Sequence, residues 1–229
     1  MPLTAVPFDL APYRFSGSVY GTLLNHPGAL AALGSAVHEP PHKGPPKAVV
    51  LYVKPRNTLA GPGDDVAVPA DAPELEVGAS LGLVIGRTAC AVAEADALEH
   101  IAGCVIVNDV GVPHASFYRP SIRFKARDGF CPIGPRVVPW AEVGDAQALA
   151  IRVEVDGREV QRATTGGWIR SIPRLLAEVS DFMTLHPGDI LMTGVAPGAP
   201  RVRAGQRVAI EIDRLGRLEN RFVAAGTAR

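Results

Sequence analysis

The chain has 229 residues, 47% hydrophobic and 20% charged, enough to bury one large core or two small ones in the manner of a soluble globular protein. Lys and Arg total 23, as do Asp and Glu, so the zero formal net charge gives no electrostatic reason to expect nucleic acid or an anionic membrane as a partner. No apolar run approaches the roughly 20 residues of a membrane span, and MPLTAVPFDLAPYRFSG lacks the basic start and apolar centre of a signal peptide, so a cytoplasmic protein is expected. Three cysteines, Cys90, Cys104 and Cys131, lack zinc-knuckle spacing and read as small buried hydrophobes in a reducing compartment.

Residues 1–18 read as an N-terminal arm that packs on a neighbour, and 19–229 as a single domain. SVYGTLLNH predicts a first strand, and PGALAALGSAV, residues 27–37, a short helix with Pro27 near its start. Four prolines make residues 38–46 a loop. KAVVLYVKP (47–55) and ASLGLVIGR (79–87) predict strands, and a helix over 94–102 leads into a strand over 103–110. LAIRVEVDGREVQRAT alternates around Asp156-Gly157 and predicts a hairpin. The segment from Trp168 to Leu185 is an amphipathic helix, with Ile172, Leu175, Leu176 and Val179 at helical spacing. HPGDILMTG predicts a turn and a strand, and AGQRVAIEIDRLGRLENRFV a second hairpin turning near Leu215-Gly216. The sum is a β-rich α/β domain with mixed sheets.

Several chemistries are excluded. No G-x-G-x-x-G follows a strand and opens a helix, and neither a P-loop nor a nucleophile elbow is present. His114 and Ser116 are neighbours in sequence, which is not triad geometry. His26, His38 and His42 sit near proline-rich loops and read as loop histidines rather than metal ligands. In ELEVGASLGLVIGR, Glu74, Glu76, Gly78 and Ser80 fall on one face of a strand. Two carboxylates so spaced can grip a hard cation.

KPRNTLAG, LGLVIGR, IAGCVIVNDV, FYRPSIRFKARDGFCPIGP, DGREVQRATT and FMTLHPGDILMTG occur in that order. Together they resemble the fumarylacetoacetate hydrolase family over nearly the whole chain, and most closely a branch in which two such domains are fused in tandem. The resemblance implies a β-roll domain built on mixed sheets and a part in aromatic catabolism. It implies isomerisation or decarboxylation of a small polyanionic 2-oxo acid. It also implies Mg²⁺ or Mn²⁺ held by two glutamates and an aspartate, draining charge from an enolate.

Carried over by position, Asp109 matches the aspartate ligand and Lys125 the lysine beside the metal, here expected as the catalytic charge stabiliser. The glutamate positions fall on Gly78 and Ser80, which offer no carboxylate. Ala29 stands at the family's catalytic histidine, and Pro113 at an arginine. Lys54, Arg56, Arg119 and Arg127 are expected to meet substrate carboxylates. One aspartate is a poor cage for Mg²⁺, so the leading reading is a subunit with a remnant metal site. Its partner would be a homologous second subunit carrying the intact site, or a second copy of the chain in a homodimer. The rival reading displaces the ligands to Glu74 and Glu76, about 13 Å along an extended strand from the expected positions.

Overall fold

The computed structural model describes residues 18–40, 42–114 and 121–226. The expected N-terminal arm, apart from Ser18, and Arg119 lie outside the described residues.

The strands are β1 (Val19–Leu23), β2 (Val50–Lys54), β3 (Leu59–Ala60), β4 (Asp65–Val68), β5 (Leu75–Glu76), β6 (Ala79–Ile85), β7 (Ile101–Asn108), β8 (Cys131–Pro132), β9 (Val138–Pro139), β10 (Ala150–Val155), β11 (Arg158–Thr164), β12 (Ile190–Met192), β13 (Arg201–Val202), β14 (Arg207–Ile212) and β15 (Gly216–Ala224). The helices are α1 (Pro27–Ala31), α2 (Ile122–Lys125), α3 (Trp140–Val143) and α4 (Ile172–Phe182). A six-stranded sheet runs β2-β1-β12-β6-β7-β9, and a five-stranded sheet runs β11-β10-β14-β15-β4. Both are mixed: β1 pairs parallel to β12 and β15 parallel to β4, among otherwise antiparallel neighbours.

β6 and β7 are buried at every residue, which explains why their sequences are near-continuous apolar runs. Leu81, Leu83 and Ile85 of β6, with Cys104 and Ile106 of β7, join the main core, which also takes Val153, Ile210, Ile212 and Phe222 from the five-stranded sheet. The residues between them, Val84, Val105 and Val107, face a second cluster with Val19, Ile190 and Met192. In contrast, β10 alternates buried and half-buried residues, as a strand with one wet face should.

The β10–β11 hairpin turns at Asp156 and Gly157, both at positive φ (51° and 78°), the conformation a two-residue hairpin turn demands. α4 begins at Ser171, whose side chain accepts from the Arg174 amide, and buries Ile172, Leu175, Leu176 and Val179. Three sequence expectations change in detail. The helix over 27–37 breaks into α1 and a 3₁₀ turn (Gly34–His38), with Gly34 at φ 53°. The helix over 94–102 is a 3₁₀ turn ending at His100, because Ile101 is drawn into β7 opposite Ile85. His26 is the N-cap of α1, its Nδ1 accepting from the Gly28 amide.

Candidate active site

The antiparallel register of β6 and β7 carries straight on into the site. Gly78 and Asp109 exchange backbone hydrogen bonds, Asp109 N to Gly78 O at 2.8 Å and the reverse at 3.2 Å. Asp109 is thereby fixed at the end of a buried strand, 2% exposed. β2 brings Tyr52 and Lys54, two residues apart and so on one face. α2 ends at Lys125, whose amide bonds to Ser121 O.

These four side chains meet. The Tyr52 hydroxyl donates to Asp109 Oδ2, and Lys125 Nζ donates to the same oxygen at 2.7 Å. Lys54 Nζ lies 2.9 Å from Asp109 Oδ1. All three Lys54 protons, however, go to backbone carbonyls, those of Val110, Phe130 and Lys125. Asp109 Oδ1 is therefore attracted by an ammonium without receiving a hydrogen bond. Burial pushes the Asp109 carboxyl up, but the Lys125 and Lys54 charges, with the hydrogen bonds from Lys125 and Tyr52, hold it far below the usual carboxylate range. Burial and the adjacent Asp109 carboxylate push the Tyr52 phenol well up, so it stays a neutral donor. Burial lowers the Lys54 ammonium and Asp109 opposes it.

Beside this cluster lies a cavity of about 320 Å³, lined by Tyr52, Glu76, Asp109, His114, Lys125 and Arg201 among others. Ala29, at the position where the family resemblance places a histidine, also lines it. Of the cations expected to meet substrate, Lys125 alone among the described residues faces this space. Lys54 is fully buried behind Asp109. Arg127 pairs with Asp71 at 2.8 and 3.0 Å, outside the cavity lining. Arg56 sits exposed on a 3₁₀ turn, also outside it. Glu74 and Glu76 part company: Glu76 lines the cavity, while Glu74 is taken by Arg203, with Arg201 at 3.9 Å.

Tyr52 escaped the sequence reading. Its one signal is the spacing Y-x-K on a strand, which puts it on the face of Lys54.

A family profile described as fumarylacetoacetate (FAA) hydrolase C-terminal matches residues 18–223. The chain belongs to the fumarylacetoacetate hydrolase family. It is 39% identical over 207 residues to the 4-hydroxyphenylacetate degradation bifunctional isomerase/decarboxylase of Escherichia coli, covering 90% of this chain and 47% of that protein. The chain thus spans about half the length of the curated relatives it matches first. Among solved structures it resembles 5-carboxymethyl-2-hydroxymuconate delta-isomerase from Mycobacterium smegmatis, with a TM-score of 0.78 and 31% identity, over 92% of this chain and 80% of that one. It also resembles fumarylpyruvate hydrolase from Pseudomonas aeruginosa in complex with Mn²⁺ and pyruvate, with a TM-score of 0.80 and 26% identity, over 93% and 91%. The strand-rich, mixed-sheet architecture is that of the fumarylacetoacetate hydrolase family.

A family-type divalent cation does not fit the residues of this site. Among the described residues no three His, Cys, Asp or Glu side chains gather as a metal cage. Ser80 is buried and donates its hydroxyl to Gly194 O at 2.8 Å. At Gly78 a Cβ would stand 2.8 Å from Val195 Cγ2 and 2.9 Å from Asp109 O, so the space for a ligand side chain is closed. Two ammoniums already lie 2.7 and 2.9 Å from Asp109. Like unit charges 4 Å apart repel by about 4 kcal/mol at an effective dielectric of 20, and a divalent ion would meet that repulsion twice over from each lysine.

Proposed function

We propose that this chain is one half of an isomerase/decarboxylase of 4-hydroxyphenylacetate catabolism, with a degenerate metal centre of its own. Its substrates would be 2-hydroxyhepta-2,4-diene-1,7-dioate and 5-oxopent-3-ene-1,2,5-tricarboxylate, and the metal-dependent step would fall to a homologous partner bearing the two glutamates. The observation that carries this reading is Asp109 neutralised by Lys54 and Lys125 beside Gly78 and Ser80. The likeness to half of a bifunctional relative supports the pairing. Lys125 takes the role of charge stabiliser, since its ammonium lines the cavity and, beyond its bond to Asp109, keeps protons for a substrate oxygen. The cytoplasm is the compartment this metabolic role suits; no described helix is long and apolar enough to cross a membrane. A self-sufficient metal site on Glu74 and Glu76 loses support from the arginines that engage Glu74.

The test is to titrate the isolated chain with Mn²⁺ by calorimetry and thermal melting, then assay it alone and mixed with a homologous domain that carries both glutamates. A ligand at 100 times its Kd stabilises by about 2.7 kcal/mol. No heat and no melting shift are expected, and metal-dependent turnover should arise only in the mixture. Metal-dependent turnover by the isolated chain would overturn the proposal.

A further inference from the structure

We infer that Glu76 and Lys125 form a metal-independent proton-transfer pair that enolises a 2-oxo acid in the cavity. The inference rests on the substrate class proposed above, and its geometry stands on backbone pairing. Glu76 and Gly111 form an antiparallel bridge, Glu76 N to Gly111 O at 2.8 Å and Gly111 N to Glu76 O at 3.0 Å. Directly opposed residues share a face, with Cβ positions about 5 Å apart. Gly111 has no side chain, and Lys125 fills the space: its Nζ lies 3.2 Å from where a Gly111 Cβ would stand. The Glu76 carboxylate and the Lys125 ammonium therefore enter one cavity side by side. Glu76 makes no ion pair among the described residues, and it shares the cavity lining with Lys125.

Asp109 and Tyr52, which share the lining, are already engaged with one another and with Lys125. Asp109 accepts from Tyr52 and Lys125 and is held ionised, which makes it a feeble base. Tyr52 gives its proton to Asp109. His114 stacks on Phe124, ring centroids 4.6 Å apart. Arg201, opposite Glu76 in the β5–β13 pair, stands 3.9 Å from Glu74. Glu76 remains as the carboxylate positioned to take a proton from carbon, and Lys125 as the donor for the oxygen that gains charge.

The step balances without a co-reactant. Glu76 removes a proton from C3 of the 2-oxo acid. The C–H electron pair becomes the C2–C3 double bond, and the carbonyl pair moves to oxygen, where a Lys125 N–H donates to the enolate. Protonated Glu76 then returns a proton to C3, or to a more distant carbon of a conjugated substrate, which is double-bond migration. Charge is merely relocated, since Glu76 becomes neutral as the enolate forms. At about 320 Å³ the cavity lies at the small end of ligand pockets, in keeping with a small acid.

Pyruvate in D₂O with EDTA is the probe, its methyl exchange followed by proton NMR and its binding by saturation transfer. Exchange above the protein-free rate is expected. Glu76→Gln should slow it by about 10²–10⁴-fold, the range of general acid–base catalysis, while leaving pyruvate binding in place. Lys125→Met, checked for folding by circular dichroism, should weaken both. Pyruvate that binds but exchanges at the buffer rate would overturn this inference and leave the proposed function standing. Full exchange in Glu76→Gln, or exchange only with added metal, would also overturn it. Absence of pyruvate binding would remove the inference and the substrate class together.

Discussion

Asp109 is the residue on which the site balances, because one buried carboxylate faces two ammoniums. Removing its charge leaves two uncompensated cations. Asp109→Asn should therefore destabilise the fold by about 3–5 kcal/mol, the usual cost of breaking a buried pair from one side. The pH dependence has a definite sign. The folded-state value lies far below the unfolded one of about 3.9. The stabilisation is thus complete above about pH 4 and is lost as pH falls toward the folded value. Urea unfolding between pH 3 and pH 7 checks this: the native chain should lose stability on acidification more steeply than Asp109→Asn, and parallel curves would refute it. Asp109 and Lys125 were legible in NDV and FKARDG, motifs that do meet in space. Lys54 was legible only as a cation. Lysines are seldom fully buried, and sequence does not reveal that three carbonyls converge on this one.

At the scale of elements, periodicity carried most of the reading. The Asp156-Gly157 hairpin, α4 and the apolar strands β6 and β7 follow from local chemistry and from patterns of burial. The 3₁₀ turn before β7 was missed because Ile101 is claimed by the sheet, a tertiary effect that helix propensity does not register. The short β5 was missed as an element for a similar reason: its pairing with β13 and its bridge to Gly111 come from distant segments. That pairing sets the fate of Glu74 and Glu76, since it brings Arg203 to one and the cavity to the other. It also makes Gly78 a packing position. Gly78→Ala should destabilise by about 1–3 kcal/mol, as overpacking does, because Asp109 O belongs to the backbone and cannot swing aside. Gly78→Glu with Ser80→Glu should accordingly fail to create a tight Mn²⁺ site; calorimetric binding with a large gain in affinity would show that the strand has more room than its packing indicates.

For the whole molecule, the two sheets share one core, and this ties the site to the stability of the entire domain. Leu83 lies at zero exposure in the cluster that also holds Val153, Ile210 and Phe222 from the opposite sheet. Leu83→Ala should cost about 2–5 kcal/mol. For a domain of about 150–250 residues each kcal/mol lowers Tm by about 2–4 °C, so a fall of roughly 4–20 °C is expected. Two probes can follow the strands and the side-chain packing separately. Far-UV circular dichroism reports the strands, and fluorescence reports Trp140, packed on the main core, and Trp168, whose ring meets His26 edge-on at 5.3 Å. A shared core requires both signals to move together in the native chain and in Leu83→Ala. Transitions that separate in the variant would mean that side-chain packing is lost before the strands and that the core does not unfold as one unit.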